Sequence, residues 1–99
     1  MEAFSDMRNL VKVSLPSSVT NLSGTFRNCI NLKTAICPES VTNMQMAYCN
    51  CYKLNGSAAC GNNVINMYLA YDNCVSLSEP ICGPKVENFD YTYINCKNL

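Results

Sequence analysis

Ninety-nine residues with eight cysteines, no histidine, no tryptophan and seven basic against seven acidic side chains fit one domain and not two. Without histidine there is no Ser-His-Asp triad, no Cys-His pair and no imidazole metal ligand. A net charge of zero gives no overall attraction to nucleic acid, and apolar runs of only a few residues cannot span a bilayer.

The chain opens on Met1-Glu2-Ala3-Phe4-Ser5-Asp6, with no basic region followed by an apolar stretch, so no signal peptide is read there. Phe4-Ser5-Asp6-Met7-Arg8-Asn9-Leu10 is a degenerate first copy of a recurring motif, aromatic-x-x-Cys-x-x-Leu. Its full copies begin at Phe26, Tyr48, Tyr71 and Tyr93, and carry Cys29, Cys51, Cys74 and Cys96, each preceded by Asn. Between copies, Val19, Val41, Val64 and Val86 recur, followed by Asn21, Asn43, Asn66 and Asn88 and then by Leu22, Met44, Met67 and Phe89. A further column holds Leu15, Cys37, Cys60 and Cys82. Seven cysteines therefore mark repeat register, and Cys49 alone falls outside it. The period is 22 or 23 residues, in the range of a leucine-rich repeat and too short for a helix-pair repeat.

The predicted elements follow unit by unit: a partial unit over 1–18, units 19–40, 41–63 and 64–85, and a partial unit over 86–99. Alternation of apolar and polar residues predicts short parallel strands over 10–15, 32–37, 54–60 and 77–82. Pro or Gly turns the chain after each of them. The Val-x-Asn segment is expected to form a second, extended side. The stretch 24–28 and its equivalents are expected to close the coil as a turn or a short 3₁₀ or helical segment, aromatic side inward. Matched positions then stack into ladders that bury a common core.

The run Leu10-x-x-Val13-x-Leu15-Pro16-x-x-Val19-x-x-Leu22-x-x-x-Phe26-x-x-Cys29-x-x-Leu32 resembles the bacterial surface antigen type of leucine-rich repeat, the BspA-like family. The likeness covers essentially the whole chain, tilted toward an Asn-Met-, Tyr- and Cys-rich subgroup. It implies a right-handed solenoid used in adhesion or recognition. It also favours a cell-surface, extracellular or virion-associated setting, which the residues themselves do not specify.

The cysteine ladders (Cys29, Cys51, Cys74 and Cys96; Cys37, Cys60 and Cys82) are expected to be reduced, buried and structural. Matched side chains in parallel coils point the same way, which suits a disulfide torsion poorly. A ladder also spreads thiolates along a line instead of converging them on a metal. No metal and no cofactor are expected. With Cys51 inward, the aromatic Tyr48 shares that side, so Cys49 is expected as an exposed thiol. At least one of the two asparagine ladders, Asn21/Asn43/Asn66/Asn88 or Asn28/Asn50/Asn73/Asn95, is expected to be buried with its amides bonded to backbone.

Positions that vary among units are the candidate binding surface. One pair of columns gives Gln45, Met46, Tyr68, Leu69, Asp90 and Tyr91; the strand column gives Lys33, Thr34, Ser78 and Glu79. No nucleophile has a base at motif spacing, so catalysis is not expected. The expected function is a non-catalytic module that binds a protein or a glycan surface, without nucleic acid and without membrane insertion. The alternative is an assembly protein. No polar cap is read over the last coil and at most a partial unit over the first; either the chain is a piece of a longer array, or its open ends meet other subunits in self-association and build a fibre or dock on a larger particle such as a phage tail.

Overall fold

The computed structural model describes residues 4–55, 61–78 and 83–99. Two three-residue strands, β1 (Lys12–Ser14) and β2 (Thr34–Ile36), pair in parallel with Val13 opposite Ala35. They lie inside the predicted spans 10–15 and 32–37 but are shorter. The spans predicted at 54–60 and 77–82 run outside the described residues; Asn55 N–H still donates to Lys33 O at 3.1 Å, which carries the pairing into the next coil. The second side is extended, as four stacked asparagines joined by single parallel bridges, Asn21 to Asn43 to Asn66 to Asn88.

The closing segment contains no helix or 3₁₀ turn among the described residues, and its hydrogen bonds give the reason. The N–H groups of Leu22, Gly24, Phe26 and Asn28 donate forward to Asn43, Gln45, Ala47 and Cys49 of the next coil at 2.8–2.9 Å. The N–H groups between them, on Thr25, Arg27 and Cys29, turn back three residues within their own coil at 3.0–3.2 Å. The same alternation repeats from Met44 and again from Met67. With every second donor spent on a neighbouring coil, no consecutive helical bonds can form. The backbone also enters the left-handed region twice per coil, at Gly24 and Asn28, Met46 and Asn50, Leu69 and Asn73, and Tyr91 and Asn95.

The core is a set of ladders. Leu22, Met44 and Met67 are buried, as are Val41 and Val64, and Leu32, Leu54 and Leu77. Five rings stack nearly parallel along the coil axis, Phe4, Phe26, Tyr48, Tyr71 and Tyr93, with centroids 5.5–5.8 Å apart. The cysteine column beside them has a specific bonding role. The carbonyls of Phe26, Tyr48 and Tyr71 each accept the N–H of the cysteine three residues on and the S–H of the cysteine one coil further, with Cys51 Sγ to Phe26 O and Cys74 Sγ to Tyr48 O both at 3.1 Å. Cys29 and Cys96 repeat the contact on Phe4 and Tyr71. A thiol is small enough for the corner, apolar enough for the core and still a donor for the carbonyl's second lone pair.

Neither asparagine ladder is buried, contrary to expectation: Asn21 and Asn95 are exposed and the other members are half-buried. Both ladders lie at coil corners, where the amides cap turns at the edge of the core. In the first, each side-chain oxygen accepts the N–H two residues on (Ser23, Gln45, Tyr68 and Asp90) at 2.8–3.0 Å, an Asx turn within the coil. In the second, the amides bond one another across coils. Asn28 donates to Asp6, Asn50 to Asn28 and Asn73 to Asn50 at 2.7–2.9 Å, whereas Asn95 turns to Asp72. Asparagine suits this column twice over, because it tolerates a left-handed backbone and extends the amide chain. Replacing Asn50 by Gly is expected to cost about 1–2 kcal/mol for the lost amide bonds. Replacing it by Ala is expected to cost about 1 kcal/mol more, for the left-handed backbone. Urea titration of both variants checks this ordering, which is the reverse of the one in a helix interior.

Candidate interaction surfaces

Each coil turns outward just after its Asx turn, and this places the first candidate columns. Gln45, Met46, Tyr68, Leu69, Asp90 and Tyr91 form one continuous ridge, two residues per coil. Gln45, Met46, Tyr68 and Leu69 are half-covered by their stacked neighbours, while Asp90 and Tyr91 are exposed, Tyr91 at 62%. Tyr68 and Tyr91 meet edge to face, centroids 6.2 Å apart. The ridge sits on a costly backbone position. Met46, Leu69 and Tyr91 have φ of 54–55°, where the first full coil has Gly24 at 63°. Spacing alone gives no sign of this feature.

The strand column lies on another side of the coil. Lys33 and Thr34 are exposed, and Ser78 donates through its N–H and its hydroxyl to Asn55 Oδ1 at 3.5 and 3.4 Å. Glu79 lies outside the described residues, as do Cys60 and Cys82.

The six described cysteines are free thiols. Cys37 is buried, its S–H 3.6 Å from Pro38 O. Cys49, expected at the surface, is buried with 7% exposure. Tyr48 and Cys51 do face inward, but Cys49 between them is not thereby turned out. In the turn Cys49 slides beneath the next coil, and its S–H lies 3.6 Å from Asp72 Oδ2. Burial, and then the Asp72 carboxylate, push this thiol up to about 11. Among the described residues no three Cys, Asp or Glu side chains converge on a point that could hold a metal, and no helix is long and apolar enough to cross a membrane.

A family model, the BspA type leucine-rich repeat region, matches residues 1–99 in six copies. The chain belongs to the BspA-type leucine-rich repeat family. No curated protein and no solved structure gives a match. BspA-type repeats are in general a scaffold for protein binding and not for catalysis, and this one forms a repeat solenoid. On such a scaffold the constant columns make the core and the varying ones face outward.

Proposed function

We propose that the chain is a non-catalytic recognition module that meets a protein surface, in an adhesion setting, through the ridge Gln45, Met46, Tyr68, Leu69, Asp90 and Tyr91. One observation carries the reading. Three coils keep a large apolar side chain at a left-handed backbone position that Gly24 fills at no steric cost in the first full coil. A strained position occupied by large, half-exposed side chains points to use outside the fold.

The test separates use from packing. Leu69→Gly and Tyr91→Gly relieve about 1 kcal/mol of backbone strain each, which offsets the modest burial lost. Melting temperatures are therefore expected to stay within a few degrees of the parent's. Binding to an array of extracellular protein domains is expected to fall by about tenfold or more in the double variant, as when central contact residues are truncated. Parent-like binding by the double variant would remove the ridge as the recognition surface. Melting temperatures lowered by ten degrees or so, corresponding to roughly 2 kcal/mol, would make the side chains structural instead.

A further inference from the structure

The zero net charge conceals a polarised surface. Five of the seven basic residues fall on the corner of the coil between the cysteine column and the strand side: Arg8, Lys12, Lys33, Lys53 and Lys97. All five are exposed. The two remaining are elsewhere, Lys85 bonded to Asn63 and Arg27 on the turn side with Cys49. Among the described residues this corner holds no acidic side chain; Asp6, two residues before Arg8, stands on the asparagine column and accepts from the Asn28 amide, and Asp72, Asp90, Glu39 and Glu87 stand on other columns. Glu79 is outside the described residues.

The coils are locked in register here. Lys33 N–H donates to Val11 O at 2.8 Å. The Asn31 amide donates to Arg8 O and the Asn98 amide to Val75 O, both at 2.7 Å. The column that follows the cysteines therefore reads Arg8, Ile30, Tyr52, Val75, Lys97 along the axis. An apolar stripe stands between two cations, with Tyr52 43% exposed at its centre and Lys53 beside it.

We infer that this corner docks an acidic polypeptide segment, extended along the coil axis, whose carboxylates meet Arg8, Lys33, Lys53 and Lys97 while an apolar side chain covers Tyr52. Coils about 4.8 Å apart put Arg8 and Lys97 roughly 19 Å from each other, the reach of about six extended residues. The stripe selects the class of partner. A sulfated polysaccharide or a nucleic-acid backbone satisfies the cations but leaves Ile30 and Val75 without a counterpart, whereas a peptide of mixed acidic and apolar residues satisfies both. The inference rests on the reading of the chain as a binding module, but it uses a face separate from the Met46–Leu69–Tyr91 ridge.

The probe is a fluorescent peptide of about ten residues with glutamate and leucine taking turns at every second position and serine between them, so that an extended chain presents both to one face, followed by anisotropy at low and physiological ionic strength. Expected are saturable binding weakened by salt, a loss of about tenfold with Lys33→Glu and Lys53→Glu together, and a loss of about fivefold with Tyr52→Ser at unchanged salt dependence. The variants Tyr68→Ala and Tyr91→Ala are expected to bind this peptide like the parent, which keeps failure of the ridge distinct from failure of the corner. No binding at low ionic strength, or undiminished binding by the lysine variants, overturns the inference. So does a heparin fragment or poly-glutamate that binds as tightly as the peptide and ignores Tyr52→Ser.

Discussion

Between pH 9 and pH 11 the chain is expected to lose most of its stability. In the fold every described thiol is held protonated. Burial is the first cause in each case, and it pushes Cys37 and Cys49 up to about 11, Cys51 and Cys74 further still, and Cys29 and Cys96 upward by less. In the unfolded chain the same groups ionise at their ordinary value of 9.0. A folded pKa above the unfolded one gives stability that is complete below the unfolded value and is lost as pH rises toward the folded value. Each thiol that stays protonated contributes a loss of about 1.4 kcal/mol per pH unit above that point. Cys37, Cys49, Cys51 and Cys74, the four most strongly raised, together remove on the order of 5 kcal/mol by pH 10, against a total of about 5–15 kcal/mol for a domain of this kind. Urea midpoints followed by circular dichroism from pH 7 to 11 measure the effect. Cys51→Ser with Cys74→Ser should flatten the curve, since a hydroxyl still donates to the Phe26 and Tyr48 carbonyls but does not titrate in this range. A parent midpoint that stays level to pH 10.5 would contradict the burial of the thiol ladder.

The dependence on cysteine also marks how far the sequence could be read. Repetition made the stacking legible, because Phe26, Tyr48, Tyr71 and Tyr93 at matched positions have only one way to share a core. Column identity did not reveal what each column bonds to. Asn21 and Asn28 look alike as recurring asparagines, yet one closes an Asx turn and the other extends a chain of amides. That difference is set by backbone dihedrals, φ being 62° at Asn28, and no side-chain pattern encodes it. Of the expected closures, the coil takes the turn and not the helical segment, for a related reason. The choice between a bond within the coil and a bond to the next depends on the 22-residue neighbour and not on local propensity. The inward sides of Tyr48 and Cys51 did not fix that of Cys49, because in this turn Ala47, Tyr48 and Cys49 are all buried in succession. The basic corner escaped notice because net charge sums over columns, and only the folded register separates Lys33 and Lys53 from Glu39 and Asp72.

Phe26→Ala is expected to cost about 3–5 kcal/mol and to leave the chain unfolded or close to it. Phe26 is fully buried and stacks on Phe4 at 5.6 Å and on Tyr48 at 5.5 Å, so truncation removes two ring contacts and opens a cavity between coils. The damage extends beyond that volume. In a solenoid each coil is stabilised by its neighbours alone, so weakening one junction uncouples the coils on either side. Here the Phe4–Phe26 stack joins the first coil to the second beside the pairing of β1 with β2. Phe4→Ala, at the half-exposed first rung, should cost less than half as much. Phe26→Tyr should cost under about 1 kcal/mol, because Tyr48 and Tyr71 fill the same column in the next two coils. Urea unfolding of the three variants gives the comparison. A Phe26→Ala loss no larger than that of Phe4→Ala would mean that the rings contribute as separate hydrophobic groups and not as a ladder joining the coils.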